Sequence, residues 1–322
     1  MKHIILPDKA ERRLIFYLAM EEFVARELDE DEAFFLWQVE PTVIFGRNQL
    51  MEAEVNVDYC RANGIRIFRR KSGGGCVYSD KGNLMLSYVT KGENVGFVFD
   101  RYLRRVALTL RRAGINASVS GRNDILVDGK KVSGNAFFKL PGKCIVPGTL
   151  LYDTDFLQMQ QAITPSESKL QSKGVASVRQ HVANLKDYLS TDIETFKQFV
   201  VGQFCNSERI LTAEEVARIE EIEKTYLDES FFSGSNPSYT VTKNVKIPGA
   251  GELTVGLELR NGVIRRVSLT GDYFQTADPT EELNLRLRNK PVGEAAEALS
   301  GFDLSAYLIG IPTSCLIEII NT

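Results

Sequence analysis

The chain has 322 residues, of which 43% are hydrophobic and 25% are charged, a composition typical of a globular protein with two domains. Its formal net charge of −3 provides no overall attraction for nucleic acid, so nucleic acid is not an expected partner. No apolar run is long enough for a membrane span or a signal peptide, and we therefore predict a cytoplasmic protein that does not bind membranes.

Cysteines and histidines exclude several kinds of site. The five cysteines are scattered and have no CxxC spacing, which favours reduced thiols over a disulfide framework or a zinc site. The two histidines, His3 and His181, are not accompanied by a GxSxG motif. A Ser-His-Asp triad and a histidine-based metal site are both disfavoured.

The N-terminal part predicts a helix followed by strands. Asp8 and Glu11 resemble a capping box at a helix start, and apolar residues at helical spacing follow as far as Phe23. A short helix is predicted over 56–63, with Gly64 as its terminator. Aromatic and β-branched residues predict strands over 34–38, 42–45, 65–68 and 83–89.

A loop with three consecutive glycines, within RRKSGGGCVYSD at 69–80, follows the third of these strands. Glycines leave backbone N–H groups open to an anion, and the basic residues before them add positive charge. A flexible surface turn would have a similar composition. We predict an anion-binding loop that connects adjacent strands.

An amphipathic helix is predicted over 101–113. Its arginines lie largely outside the apolar stripe, so they either attract an acidic carrier protein or form a solvated face, and the second interpretation is the simpler one. These residues are Arg104, Arg105, Arg111 and Arg112.

A second motif, GRNDILVDGKKVSGNA, occupies 121–136. It predicts a hairpin, with a strand over 125–127, a tight Asp128-Gly129 turn and a returning strand led by Lys131. Further on, 144–152 predicts a strand interrupted at Pro147-Gly148.

Together, the two motifs resemble the catalytic domain of lipoate-protein ligases, within the biotin and lipoate protein ligase superfamily. A third segment at 172–185 follows in the family's order, and the resemblance covers nearly the whole chain, including a C-terminal accessory domain. It implies an α/β (α+β) fold, in which a small α+β domain follows a mixed-sheet catalytic domain. We predict the catalytic domain at 1–232 and the accessory domain at 239–322, separated by a Ser/Gly/Pro/Asn-rich segment.

The accessory region has its own strand and helix patterns. Alternating leucines and valines over 253–259 and 267–269 flank an Asn261-Gly262 turn, which predicts a hairpin. Helical patterns over 280–289 and 313–320 would cover one face of this small sheet.

The resemblance implies an ATP-dependent ligase that forms lipoyl-AMP and then transfers the lipoyl group to a lysine of a lipoyl-domain protein. The implied acceptors are E2 subunits of 2-oxo acid dehydrogenases and the glycine cleavage H protein. ATP, Mg²⁺ and lipoate are the implied small molecules, and we expect a monomer.

Lys131 is the predicted catalytic residue, because an ammonium group on a strand can neutralise both the carboxylate and the α-phosphate. Asp124 is a possible Mg²⁺ ligand, although an acid that caps the hairpin would occupy the same place. The resemblance implies ATP or adenylate contacts from Arg70, Lys71, Cys76, Val77, Tyr78, Ser79, Asn123, Asp124, Lys131, Ser133, Gly134, Asn135, Lys173 and Gly174. It implies lipoate contacts from Arg70, Ser72, Gly73, Gly74, Gly75, Lys131, Gly148 and Thr149.

Two departures from the family pattern concern histidine. Ser79 stands where the family often has histidine, and Val146 and Pro147 replace a paired histidine. These changes put in doubt any role of imidazole near the reacting groups, but the lysine chemistry does not depend on them.

Two other functions remain open. An ATP-independent octanoyl or lipoyl transferase would use a cysteine thioester, with Cys144 as nucleophile and Lys143 as its helper. Such transferases generally lack an accessory domain. A binding protein that kept the fold but lost the activity would show no lipoate-dependent ATP–pyrophosphate exchange.

Overall fold

The computed structural model describes residues 1–49, 51–92, 94–121, 123–163, 181–233, 241–260 and 262–321. Within these ranges the strands are β1 (Lys2–Ile5), β2 (Glu32–Trp37), β3 (Thr42–Phe45), β4 (Arg66–Arg69), β5 (Val77–Ser79), β6 (Asn83–Lys91), β7 (Ala117–Ser120), β8 (Asp124–Val127), β9 (Lys130–Gly134), β10 (Phe138–Leu140), β11 (Lys143–Leu151), β12 (Ser207–Ile210), β13 (Val241–Ile247), β14 (Gly251–Arg260) and β15 (Val263–Gly271). The α-helices are α1 (Leu14–Glu27), α2 (Met51–Glu54), α3 (Val57–Ala62), α4 (Val95–Arg112), α5 (Phe156–Ala162), α6 (Ile193–Phe204), α7 (Ala213–Lys224), α8 (Glu229–Ser233), α9 (Thr280–Leu287), α10 (Ala295–Ala298) and α11 (Thr313–Asn321).

A mixed sheet in the order β10-β11-β6-β2-β1-β12 forms the centre of the larger unit. β1 is parallel to β2 and to β12, whereas β2, β6, β11 and β10 pair antiparallel. Alternate residues of β6 enter different cores, because successive side chains of a strand point to opposite faces. Leu86 and Tyr88 pack with α4, and Met85 and Val89 pack with α1. Both faces of the sheet are therefore covered, as the mixed α/β prediction requires.

The glycine-rich loop connects two strands that are not neighbours. β4 and β5 lie on opposite sides of β3, so the loop crosses the end of β3. The predicted strand that continues at Asn83 is β6, which belongs to the central sheet. The expectation of a connection between adjacent strands was wrong, because the sequence contains no signal for the insertion of β3 between β4 and β5.

The second motif forms the predicted hairpin, β8 and β9, with β7 on its other edge. Asp128 and Gly129 have φ values of 50° and 77°, the left-handed conformations that a tight hairpin turn requires. This turn places Lys131 and Asp124 on neighbouring strands.

Strand β11 is continuous, so the predicted interruption at Pro147-Gly148 was wrong. It pairs with β6 in unbroken register, with Pro147 opposite Ser87 and Gly148 opposite Leu86. On its other edge, pairing with β10 ends at Ile145. A proline is tolerated at this point because it lies beyond the β10 ladder, where its carbonyl still accepts a hydrogen bond from Ala136 N.

Helix α1 begins at Leu14, later than the capping-box pattern predicted. The Asp8 carboxylate accepts a hydrogen bond from Ala10 N and pairs with Arg12, which holds a turn before the helix. An acidic residue with this spacing can stabilise a turn or a helix start equally well.

The accessory unit has its own core beneath the sheet β13-β14-β15. Its helices α9, α10 and α11 contribute to that core, as the alternating pattern and the two helical patterns predicted. The segment after β15 also contacts the larger unit, and Phe274 joins the core that contains α4. The predicted boundary between 232 and 239 falls mostly outside the described residues, so it stays a prediction.

The arginines of α4 mainly serve the fold. Arg105 donates hydrogen bonds to the carbonyls of Gln203 and Phe204, and Arg112 donates to the Gln203 side chain. Arg104 pairs with Asp100 one turn away. Across the described residues, no helix has the length and apolar character needed to cross a membrane. The predicted location and monomeric state are not tested by this finding.

Candidate functional site

The two motifs meet at one cavity with a volume of about 120 Å³. Part of its lining comes from the glycine loop, the hairpin and β11, and is formed by Arg70, Gly74, Gly75, Cys76, Asn123, Lys131, Gly134, Asn135, Gly148 and Thr149. The rest is apolar and is formed by Leu18, Trp37, Ile44, Val77, Met85, Ala136 and Pro147. Such a lining suits a ligand with an apolar chain and an anionic end.

A buried guanidinium organises the glycine loop. The Arg70 side chain donates hydrogen bonds to Ser72 Oγ at 3.0 Å, to the carbonyls of Gly73 at 2.8 Å and Gly75 at 2.7 Å, and to Ile44 O at 3.3 Å. Burial lowers the pKa of Arg70 to about 10, which still leaves it charged at neutral pH. No carboxylate in the described parts of the chain pairs with it, so its charge remains available to an anion in the cavity.

The two basic neighbours of Arg70 have different contacts. Arg69 donates to the carbonyls of Arg47, Gln49 and Phe232 and lies over the Phe45 ring. These contacts fasten β4 to the chain around it.

Lys71 lies outside the cavity lining. Its ammonium is 2.6 Å from Glu22 Oε1, donates to Thr225 and lies over the Tyr226 ring. The structure therefore separates Lys71 from Arg70, although the sequence grouped them as one basic run.

Lys131 lines the cavity and forms an ion pair with Asp124, with 2.7 Å between Nζ and Oδ1. The two side chains remain 37% and 34% exposed, so both are accessible to a ligand. Hydrogen bonds from Lys131 N to His181 O and from Ala183 N to Lys131 O fix the backbone of β9. The ammonium is consequently held by a strand, as predicted.

Asp124 does not belong to a preformed metal cage. The described residues contain no group of three or more His, Cys, Asp and Glu side chains that could hold a metal ion. A single carboxylate beside an anion site fits Mg²⁺ whose other ligands are phosphate oxygens and water.

Asn123 and Asn135 join the two ends of the hairpin. Each side-chain amide donates to the backbone carbonyl of the other residue, at 2.8 and 3.0 Å. The Asn135 amide also donates to Ser133 Oγ, and Gly134 N donates to Thr149 Oγ1. These bonds hold the polar lining of the cavity against β11.

Other predicted residues have supporting positions. Ser79 is fully buried, and Tyr78 is 2% exposed with its hydroxyl bonded to Gln158. Ser72 accepts the bond from Arg70, and Ser133 is buried beneath the hairpin. The predicted contacts Lys173 and Gly174 lie outside the described residues, which include only 181–185 of the third segment.

The sequence motifs did not identify the apolar lining. Leu18, Ile44 and Met85 come from α1 and from strands, where an apolar side chain is indistinguishable by pattern from an ordinary core residue. Trp37 lines the cavity and stacks on Tyr17 at 4.7 Å. The sequence offered one signal for this residue, because Trp37 is the chain's one tryptophan and lies at the end of a predicted strand.

A buried acid is linked to Trp37 through a serine hydroxyl. The indole N–H donates to Ser87 Oγ at 2.9 Å, and Ser87 donates to Glu21. Burial raises the pKa of Glu21 to about 8. Glu21 is consequently protonated across much of the neutral range.

The accessory unit contacts the glycine loop directly. Gly74 N donates to Tyr273 O at 3.3 Å, and Gly271 N donates to Asn48 O at 2.6 Å. Asn48 also bonds Gln275, and Arg47 lies 3.6 Å from Asp278. The Gly46-to-Gln49 turn therefore forms part of the contact between the two units.

The environment of Cys144 is unfavourable for a nucleophile. The thiol is fully buried and lies outside the cavity lining, and burial raises its pKa to about 11. The proposed helper Lys143 donates to the carbonyls of Leu28 and Glu30 instead. In contrast, Cys76 borders the cavity beside Arg70.

Family comparisons agree with this arrangement. Residues 14–205 match the model of the lipoyl protein ligase A/B catalytic domain, which covers more than half of the chain. The chain belongs to the lipoate-protein ligase family. Residues 236–320 match the model of the bacterial lipoate protein ligase C-terminus, as the predicted accessory domain requires.

Curated relatives in this family match over nearly the full length. Lipoate-protein ligase LplJ of Bacillus subtilis is 32% identical over 94% of this chain and 95% of its own. Lipoate–protein ligase 1 of Staphylococcus aureus is 34% identical over 94% and 95%.

Solved structures show the same fold. LipL1 of P. falciparum, in complex with lipoate, covers 99% of this chain and 98% of its own with a TM-score of 0.76 and 18% identity. A bipartite lipoate protein ligase from Thermoplasma acidophilum, described with its E2 lipoyl domain, covers 75% of this chain and 100% of its own with a TM-score of 0.66 and 25% identity. Lipoate-protein ligase A bound with ATP covers 73% and 99%, with a TM-score of 0.64 and 25% identity.

Proposed function

We propose that the chain is an ATP-dependent lipoate-protein ligase. It joins lipoate and ATP into lipoyl-AMP with release of pyrophosphate, and then transfers the lipoyl group to a lysine ε-amine of an acceptor protein. The observation that carries this proposal is the position of Lys131, whose ammonium borders an amphiphilic cavity opposite the glycine loop. Related structures with lipoate and with ATP bound support it.

In the first step, a carboxylate oxygen of lipoate attacks the α-phosphorus of ATP and pyrophosphate leaves. Both reactants are anionic, so their approach requires positive charge between them. Lys131 supplies a charge on the hairpin, and Arg70 supplies a second charge beneath the glycine loop. The apolar lining around Trp37 and Met85 accepts the chain of the lipoate.

Mg²⁺ fits this site through Asp124, with the nucleotide's phosphate oxygens as its other ligands. Bound there, the ion would neutralise phosphate charge. A cation held by Asp124 would compete with its ion pair to Lys131, and the Lys131 ammonium would then be free to contact the reacting groups.

In the second step, the acceptor's amine attacks the acyl carbon, AMP leaves and the amine loses a proton. E2 lipoyl domains and the glycine cleavage H protein are the proposed acceptors, and the E2 domain named with the Thermoplasma ligase supports the first of these. The contact between Tyr273 and Gly74 must loosen if the glycine loop reorganises around the adenylate, so we propose that the accessory unit moves between the two steps.

The direct test is lipoate-dependent exchange of labelled pyrophosphate into ATP by the purified chain. The proposal predicts exchange that requires lipoate and Mg²⁺. A protein without exchange that still transfers octanoyl groups between carrier proteins, and loses this transfer in Cys144→Ala, would be the thioester transferase instead. The buried thiol predicts that Cys144→Ala leaves exchange unchanged.

A further inference from the structure

Two buried polar atoms face the same point beside Gly148, at the border of the cavity. Tyr102 on α4 is 2% exposed and Asn135 is 5% exposed. Neither Tyr102 Oη nor Asn135 Oδ1 has a hydrogen-bond partner among the described residues. A Cβ atom added to Gly148 would lie 2.7 Å from Tyr102 Oη and 2.4 Å from Asn135 Oδ1.

The hydrogen-bond network fixes which end of Asn135 faces Gly148. Its Nδ2 atom donates to Asn123 O at 3.0 Å and to Ser133 Oγ at 3.1 Å, so the oxygen is the end that remains. This oxygen can only accept, and its partner must therefore be a donor.

Tyr102 is equally well fixed. Its ring stacks on Tyr88, with 5.4 Å between centroids and 8° between planes. Burial raises the pKa of Tyr102, which keeps it a neutral hydroxyl that can donate a hydrogen bond. An unpaired buried polar group costs roughly 1–3 kcal/mol, so two such groups at one point call for a shared partner.

We propose that a buried water molecule binds at this point, accepts a hydrogen bond from Tyr102 and donates one to Asn135. Buried waters commonly bridge otherwise unsatisfied polar groups. Gly148 lets both oxygens lie close to β11, because a Cβ atom at this position would collide with each of them. Asn135 lines the cavity and Tyr102 does not. Through the water, Tyr102 is therefore a positioning residue for Asn135.

The test compares Tyr102→Phe with Tyr88→Phe. If the water is present, loss of the Tyr102 hydroxyl lowers the melting temperature and raises the KM for ATP, the predicted ligand of Asn135, roughly fivefold, with kcat nearly unchanged, as expected for one lost hydrogen bond. If the hydroxyl is simply unpaired, its removal instead leaves the melting temperature unchanged or higher, without a change in KM. That result would overturn the proposal.

Tyr88→Phe is the matched control, because its hydroxyl bonds Glu32 and Arg101 and lies outside the cavity lining. It should lower the melting temperature and leave the KM for ATP unchanged.

The kinetic test rests on the proposed function, whereas a crystal structure of the ligand-free protein tests the water site independently of that function. At a resolution that shows ordered waters, we expect electron density within hydrogen-bond distance of both Tyr102 Oη and Asn135 Oδ1. An empty position in a well-ordered wild-type structure would refute the water site. A protein with the density but without lipoate-dependent exchange would refute the proposed function instead.

Discussion

At the scale of single residues, the three basic residues at 69–71 have different roles, which the sequence motif does not reveal. The sequence placed three adjacent cations beside three glycines, and a ligand role for the whole run was a reasonable prediction. In the structure, Arg69 holds carbonyls, Lys71 pairs with Glu22, and Arg70 holds the glycine loop from beneath. Sequence could not separate these roles, because the positions of the accepting carbonyls depend on strands that are remote along the chain.

Glu21 gives a prediction about pH. Burial raises its pKa from 4.5 to about 8, so the folded protein retains a proton that the unfolded chain releases. Its contribution to stability is therefore fully present at pH values below 4.5 and is lost as the pH rises through about 8. In urea denaturation, the free energy of unfolding of the wild type should fall more steeply with pH than that of Glu21→Gln, by up to about 1.4 kcal/mol per pH unit.

Glu297 is exposed, so Glu297→Gln serves as the control, and its free energy of unfolding should change with pH as that of the wild type does. If Glu21→Gln also follows the wild type, then Glu21 is ionised in the folded protein and the account of its burial is wrong.

At the scale of elements, sequence patterns predicted the structures that depend on interactions between residues close together in the chain. Helix α7 spans Ala213–Lys224, because Thr212 and Glu215 form a capping box before an amphipathic stretch. The hairpin at Asp128-Gly129 was predictable from its turn residues. The order β4-β3-β5 was not, because strand order depends on contacts between segments far apart in sequence.

The glycine loop and the accessory unit form one contact that a single methyl group should break. In Gly73→Ala, the new Cβ would lie 2.5 Å from Tyr273 O. This oxygen belongs to the backbone, so it cannot easily move away. We expect the accessory unit to separate from the loop, seen as an increased radius of gyration in X-ray scattering and faster proteolysis.

Gly75→Ala is the matched control, because its Cβ would meet no atom closer than Asp272 Oδ2 at 4.0 Å. Equal scattering and proteolysis of the two variants would show that the loop and Tyr273 are not in contact in solution.

At the scale of the whole molecule, resemblance predicted the two units and their order, but not how they share a core. Phe274 of the accessory unit lies 5.3 Å from Phe137 and 6.1 Å from Phe99, between ring centroids. Hydrophobic alternation marked the accessory sheet correctly. Nothing in its pattern indicated that the residues after β15 would pack into another unit.

Phe274→Ala should therefore destabilise the catalytic unit, although the substitution lies outside it. Truncation of a buried phenylalanine typically costs 3–5 kcal/mol, and we expect about 3 kcal/mol in denaturant unfolding monitored by the fluorescence of Trp37. Phe97→Ala, at a residue of α4 that is 66% exposed, should cost less than about 0.5 kcal/mol. Similar small losses in both variants would contradict the shared core.

Whether the strand-held ammonium of Lys131 joins two anionic substrates is decided by lipoate-dependent ATP–pyrophosphate exchange in Lys131→Ala and Lys130→Ala. Lys130 is the exposed neighbour on the same strand, so it controls for the loss of a positive charge. We predict that Lys131→Ala lowers exchange by roughly two to three orders of magnitude with unchanged melting temperature, and that Lys130→Ala stays near the wild-type rate. Exchange at the wild-type rate in Lys131→Ala would show that Lys131 is not the catalytic cation.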